Sequence, residues 1–242
     1  MRTISIRTDW SRPWLLKAAA LAGVIVALLA QPTAAENMQE AETIIASAAS
    51  TWQNFMQDPD LSGFRADVKE AKGVLIVPAL LKGAFMFGVE GGNGVLLVRD
   101  EKTGTWSEPA FYELSSASFG LQAGAEKSEA ILVIQTVKGI DSLLSSTVKL
   151  GGDVSAAVGS QGGGMEGATS TNLGKDFVTY SRAKGAFAGV SIDGASIRTR
   201  DDLNKTYYGS AARPSDIVLV RNIKPNPRSK KLRDAVAATT GK

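Results

Sequence analysis

Two side chains are missing altogether: the chain of 242 residues has no cysteine and no histidine. Without cysteine no disulfide can brace the fold, so stability has to come from packing. Together the two absences remove every Cys/His zinc site, every Ser-His or Cys-His nucleophile pair and the commonest general base. The N-terminal apolar stretch, Ala18–Ala30, is thirteen residues long, short of the roughly 20 that a bilayer-spanning helix needs. It follows a basic segment (Arg2, Arg7, Arg12, Lys17) and precedes the small residues Thr33, Ala34 and Ala35, the layout of a secretory signal peptide. Cleavage after Ala35 is expected, with permanent anchoring as the alternative. There is no twin-arginine pair and no cysteine to accept a lipid, which implies general secretion and excludes a lipidated anchor. The mature protein is thus expected in the periplasm or outside the cell, free or peripheral on a membrane.

Removing residues 1–35 takes four basic and one acidic residue from totals of 27 and 24, leaving 23 of each. The mature chain is neutral, so its basic precursor gives no argument for a nucleic-acid partner. Charge is nevertheless uneven. From Arg221 onward seven basic residues face the single acid Asp234, and the body from Glu36 to Val220 is left with 16 basic against 22 acidic. Residues 36–220 are read as one domain and 221–242 as a basic tail expected to be disordered, since Pro225, Pro227 and the Lys230-Lys231 pair occur there without apolar periodicity.

Within the body, Met38, Ala41, Ile45, Ala48, Trp52 and Phe55 recur at spacings of three and four, predicting an amphipathic helix over Glu36–Gln57 that stops at Asp58-Pro59. A second helix is expected from Ser62, acting as N-cap, to Ala71. After Lys72 short apolar runs alternate with glycine, the texture of strands. Gly73–Pro78 is one. Ala84–Val89 and Val95–Arg99 read as hairpin arms joined by a tight turn at Gly91-Gly92-Asn93-Gly94. Phe119–Ala125, a turn at Glu126-Lys127-Ser128, and a central buried strand over Ala130–Thr136 follow. Asp141 is expected to cap a short helix, and further strands lie in Val148–Val158 and Phe177–Ile192. The fold class is α+β: a mainly antiparallel, glycine-rich sheet with an N-terminal amphipathic helix and short additional helices.

Motifs for chemistry dissolve on inspection. Gly162-Gly163-Gly164-Met165-Glu166-Gly167 matches the dinucleotide fingerprint, but no helical pattern follows to receive a pyrophosphate. Ser146/Lys149 and Ser181/Lys184 have the spacing of a Ser-x-x-Lys nucleophile, yet lie in or beside expected strands and lack the companion motifs. Asp201-Asp202 reads as a solvated helix start. No catalytic residue, metal ligand or cofactor is assigned, and the protein is read as a non-enzyme.

Six stretches taken in order, Ala71–Pro78, Gly91–Val95, Trp106–Phe111, Ser118–Gly124, Lys149–Asp153 and Tyr180–Gly189, resemble the SYLF family over roughly Ser50–Gly209. The resemblance implies lipid binding, with phosphoinositides as ligands of eukaryotic members and actin as a partner of some fungal ones. Actin is not expected here, because an exported chain does not meet it. Two sets of residues are candidates for lipid. Ile44, Trp52 and Phe55 are either core or an apolar surface for acyl chains. Lys149, Arg182 and Lys184 are cations among apolar strand residues that need a partner, either a lipid phosphate or a neighbouring carboxylate. The leading expectation is an envelope protein binding phospholipid or a membrane surface, with a structural or protein-interaction module of the periplasm as the alternative.

Overall fold

Among the described residues, the continuous apolar runs are strands buried on both faces. The computed structural model describes residues 32–85, 87–119, 124–145, 147–159, 174–183, 194–209 and 212–240. The signal-peptide expectation apart from residues 32–35, the glycine-rich fingerprint, Ser146 and Lys184 lie outside them. The chain divides into a short unit, Met1–Glu36, and one domain, Asn37–Lys242. Helix α1 spans Ala34–Gln57 and α2 Ser62–Glu70. Strands β1 (Gly73–Phe85), β2 (Phe87–Val98), β3 (Ala110–Phe119) and β4 (Gly124–Ile134) follow, then helix α3 (Val137–Leu144). The second half holds β5 (Thr147–Lys149), β6 (Ala156–Val158), β7 (Phe177–Ala183), β8 (Ser196–Thr199), helix α4 (Asp201–Tyr208), a π-helical turn (Asp216–Val220) and helix α5 (Lys230–Thr240). The strands form a single sheet in the order β5-β8-β3-β2-β1-β4-β7-β6. Every pairing is antiparallel except β6 with β7, which establishes the α+β class.

Because side chains alternate across a strand, β1, β2 and β4 supply two cores. Val74, Ile76, Val95, Leu97, Ile131 and Val133 meet α1, α2, α4 and α5, whereas Leu75, Val77, Leu96, Leu132 and Ile134 meet α3 and the π-helical turn. Ala130–Ile134 is fully buried between β1 and β7, as its unbroken hydrophobicity implies. The predicted stripe of α1 is also observed: Ala41, Ile45, Ala48, Trp52 and Phe55 are core. Trp52 and Phe55 each meet Phe64 of α2 edge-on, with ring centroids 5.6 Å apart. The start of α1 is closed reciprocally. Thr33 N donates to Glu36 Oε2 at 2.6 Å and Glu36 N to Thr33 Oγ1 at 3.2 Å, a capping box that a cut after Ala35 would remove.

Several expectations are corrected. The Gly91–Gly94 stretch is no turn. It runs through β2, paired throughout with β3 and at Gly91 also with β1, and none of its glycines has positive φ. The glycines are required by close approach instead. Pro78, which has no N–H to give a ladder, sits where β1 bulges against both neighbours, the one arrangement a central strand tolerates. The bulge brings Ala79 O to 2.1 Å and Ile76 O to 2.4 Å from where a Cβ at 92 and 94 would stand. Glu126-Lys127-Ser128 likewise belongs to β4 rather than to a turn. Leu61, not Ser62, precedes α2, and α3 is capped by Thr136, whose Oγ1 accepts from Gly139 N, rather than by Asp141.

The largest correction concerns the tail. Residues 230–240 form α5, and Leu232 and Val236 are fully buried. Trp52 Nε1 donates to Ala235 O at 3.1 Å. Ser229 Oγ donates to Glu108 Oε2 at 2.6 Å, Arg233 Nε lies 2.9 Å from Glu108 Oε1 in an ion contact outside hydrogen-bond angles, and Arg228 pairs with Glu42 at 2.7 Å. Spacing Leu232 and Val236 four apart gives one apolar stripe, too short to announce itself among the basic residues. Each such side chain is worth about 1.5–3 kcal/mol of burial.

Asp176 ties the start of β7 to α3. Burial pushes its carboxyl up, but hydrogen bonds from Thr136 Oγ1, Ser155 N and Ser155 Oγ, with Lys138 nearby, outweigh burial and hold it below its ordinary value of 3.8.

Three outcomes are expected. Gly92→Ala, whose methyl meets a backbone carbonyl, lowers the urea midpoint by the equivalent of at least about 1–3 kcal/mol, whereas Gly91→Ala, with its nearest neighbour at an ordinary 3.6 Å, costs about 1 kcal/mol or less. Leu232→Ala costs about 2–5 kcal/mol in the same titration, and Lys231→Ala stays within about 0.5 kcal/mol. As a group whose folded pKa lies below its unfolded one, Asp176 contributes its full stability above about pH 3.8 and loses it as pH falls through the folded value. Melting temperatures of Asp176→Asn should therefore fall less steeply than those of the parent below that pH.

Candidate functional site

Residues of α1 and of the bulge in β1 together line a groove. It consists of two adjoining hollows of about 430 and 400 Å³ that share Ser47, Pro78 and Lys127. The first is polar. The outer face of α1 contributes Ser47, Ser50, Thr51 and Asn54, and the sheet contributes Lys127, Ser128 and Glu129 from β4 and Arg182 from β7. The second is floored by Pro78, Ala79, Leu81, Gly91 and Gly92, with Ile44 at its edge. Leu81 is 59% exposed, a large apolar side chain left uncovered.

Odd positions in β4 and even positions in β7 face α1, as Ile131, Val133, Val178 and Tyr180 show. The same alternation puts Lys127, Glu129 and Arg182 under the helix. Glu129 stands directly across from Arg182 in register, yet its carboxylate is engaged by Thr51, whose Oγ1 donates to Oε1 at 2.7 Å. Among the described residues neither Arg182 nor Lys127 has an ion-pair partner. Two cations and several hydroxyls therefore border one hollow, and an apolar floor continues from it.

Beyond Asn93 the groove is closed by an ion cluster. Asn93 Nδ2 donates to Glu40 Oε1 at 2.6 Å, and Arg200 reaches both Asp202, at 2.7 Å, and Glu40, at 3.4 Å. The hydrogen bond from Arg200 holds the Asp202 carboxyl below its ordinary value against the opposing effect of burial. This cluster ties α1 to the start of α4, and its cation is spent on structure. Asp201-Asp202 is a helix start, as its sequence reading has it.

The structure gathers part of the sequence-predicted set and disperses the rest. Arg182 and the edge of Ile44 reach the groove. Trp52 and Phe55 do not: they are 1% and 0% exposed in the core, so contact with acyl chains through them is excluded while α1 and α5 stay docked. Lys149 lies on β5, at the opposite edge of the sheet from β7, exposed and remote from Arg182. Sequence reasoning missed Lys127, Leu81 and the α1 hydroxyls. The signal was present in the serine- and threonine-rich outer face of α1, which reads equally as a solvated face until the bulge beneath it is known.

A second cleft of about 300 Å³ lies at the other end of β1, between α3 and the π-helical turn, with Val98, Val137, Ile140, Val218 and Leu219 among its lining residues. Its cations are engaged: Lys72 pairs with Glu101 at 2.6 Å, Arg99 donates to Lys69 O, and Arg221 donates to Val98 O and Thr105 O.

Residues 115–239 match the family model described as "Ysc84: Las17-binding protein actin regulator". This chain belongs to the Ysc84, or SYLF, family. The matched segment runs from β3 to the end of α5, so the family domain includes the helix that the sequence reading left out as a tail. The chain is 33% identical over 196 residues to LAS seventeen-binding protein 3 of Saccharomyces cerevisiae, covering 78% of this chain and 41% of that protein. It is 34% identical over 163 residues to Protein YSC84 of the same yeast, covering 66% and 34%. To SH3 domain-containing YSC84-like protein 1 of Homo sapiens it is 28% identical over 152 residues, covering 62% and 44%. It thus spans less than half the length of these SYLF relatives.

Proposed function

We propose that this SYLF protein is a non-enzymatic phospholipid-binding module of a bacterial-type cell envelope. The observation that carries the reading is the groove between α1 and the β1 bulge. There Lys127 and Arg182, free of carboxylate partners among the described residues, stand beside the hydroxyls of Ser47 and Ser50, and the floor continues into Pro78, Ala79 and exposed Leu81. A phosphate is a strong acceptor for clustered Lys, Arg and hydroxyl donors, and the adjoining apolar floor suits the first methylenes of an acyl chain. Export through a cleaved leader places the protein in the periplasm or beyond, peripheral on a membrane. In that compartment it does not meet actin.

A second reading is favoured by one observation. Val137 and Leu219 border the neutral cleft on the opposite face with 55% and 48% exposure, a place where an apolar side chain of an envelope protein would fit. One yeast relative is named as a LAS seventeen-binding protein, so a protein partner is compatible with lipid binding.

Co-sedimentation with phosphatidylcholine vesicles, with and without phosphatidylglycerol, tests the lipid reading. Reversing both groove cations, Lys127→Glu with Arg182→Glu, should weaken binding to the anionic vesicles by on the order of tenfold or more, at about 1 kcal/mol per basic residue near the surface. The pair Lys230→Glu with Lys231→Glu, on the exposed side of α5, should change it much less. Equal loss in both, abolished by moderate salt, would mean diffuse charge attraction and would end the groove reading.

A further inference from the structure

Glu129 is out of place in a site for a simple anion. It lines the same polar hollow as both groove cations. Lys127 stands two positions before it on β4, on the same face of the strand, and Arg182 is its register partner on β7. Facing residues of opposite charge ordinarily pair, because their Cβ atoms are only about 4.5–5.5 Å apart. Glu129 and Arg182 form no ion pair. Thr51 Oγ1 donates to Glu129 Oε1 instead, at 2.7 Å, and among the described residues Glu129 has no further partner. The hollow thus presents opposite charges that are held apart rather than joined.

We infer that the groove selects a phospholipid whose headgroup is itself dipolar, a phosphodiester linked through two carbons to a primary ammonium, as in phosphatidylethanolamine. Its phosphate meets Lys127 and Arg182, and its ammonium meets Glu129. The inference rests on the lipid reading of the groove and adds the headgroup that the groove takes.

Three physical points support it. The first is charge. A phosphomonoester would bring a second negative charge towards the Glu129 carboxylate, and a glycerol headgroup would offer that carboxylate only neutral hydroxyls. An ammonium offers charge-assisted hydrogen bonds, which are roughly twice as strong as neutral ones, and a carboxylate that loses water without gaining such a partner is costly. The second is size. The hollow, at about 430 Å³, falls within the roughly 300–1,000 Å³ of small-ligand sites. The oxygen and two carbons between phosphorus and nitrogen span a distance of the same order as the separation of facing residues, about 4.5–5.5 Å, so both ends of the headgroup reach partners together. The third is the kind of amine. A primary ammonium has three donors, and the hollow offers acceptors for them in Glu129 Oε2 and in Ser50 Oγ, whose own proton goes to Ala46 O. A trimethylammonium has no donor and is held by aromatic faces, and none of the described residues lining the hollow is aromatic. Thr51, 1% exposed, is then a positioning residue that keeps Glu129 from closing onto Arg182.

Titration calorimetry of the full chain at physiological ionic strength, with dihexanoyl lipids below their micellar concentrations, tests the assignment. Phosphatidylethanolamine should bind on the order of tenfold more tightly than phosphatidylcholine, the difference that one charge-assisted hydrogen bond supplies, and more tightly than phosphatidylglycerol. Glu129→Gln keeps a carbonyl for Thr51 to donate to. It should abolish the preference over phosphatidylcholine and raise the affinity for phosphatidylglycerol. Thr51→Val frees Glu129 to pair with Arg182 and should weaken phosphatidylethanolamine and phosphatidylglycerol together, with melting temperatures recorded to show that each variant is folded. Equal affinity of the parent for phosphatidylethanolamine and phosphatidylcholine, or a preference that survives in folded Glu129→Gln, overturns the headgroup assignment. The groove reading stands in that case if Lys127→Glu with Arg182→Glu still removes binding. No binding of any lipid overturns both. Glycerophosphoethanolamine, the same headgroup without acyl chains, should bind at least about tenfold more weakly than the lipid, given the apolar floor beside the hollow. Equal affinity for it ends the lipid reading and this assignment with it.

Discussion

Two backbone carbonyls dictate much of this molecule. Ile76 O and Ala79 O occupy the space where side chains at 94 and 92 would begin, and they do so because a proline in one of the two central strands forces β1 out of register with both neighbours. Proline costs a ladder bond wherever it sits. Here that cost is localised at a bulge, and the bulge has two consequences. It demands glycine on β2, and with α1 it borders a groove in which polar groups from the helix and cations from the sheet meet.

Below the bulge the sheet behaves as the interior of an α+β protein, with helices on both faces and apolar side chains in both directions. At its upper side Leu81 is left open. The C-terminal helix completes the lower half. With Leu232 and Val236 inserted beside Trp52, and with Glu108 held by Ser229 and Arg233, α5 closes the aromatic cluster formed by Trp52, Phe55 and Phe64. This closure is why the largest apolar side chains of α1 serve stability and the smaller features of its opposite face serve the groove.

Much of this was legible from the residues. The period of α1, the buried run Ala130–Ile134 and the α+β class all follow from patterns in which one signal dominates. The failures share a cause, namely that the deciding neighbour is distant in sequence. Glycines 91, 92 and 94 look like a turn because Asn-Gly is a turn signal, and only the carbonyls of Ile76 and Ala79 reveal the alternative. The basic tail looks unstructured because two apolar residues among many charges carry little weight until Trp52 is seen to need a cover. Arg182 was recognisable as a cation in an apolar strand, but Lys127, its neighbour across the groove, was hidden in what reads as a polar turn.

The groove is the part of the account on which the functional reading depends, and its most direct test is to watch where a lipid lands. Amide chemical shifts of isotopically labelled protein titrated with a short-chain phosphatidylglycerol below its micellar concentration report every contacting segment at once. The account predicts saturable changes concentrated at Ser47–Asn54, Pro78–Leu81, Lys127–Glu129 and Arg182, with the amides of Leu232 and Val236 unmoved. Changes centred instead on Trp52, Phe55 and α5 would show that the helices open to expose the aromatic core and would contradict it, as would saturable changes confined to the cleft between α3 and the π-helical turn.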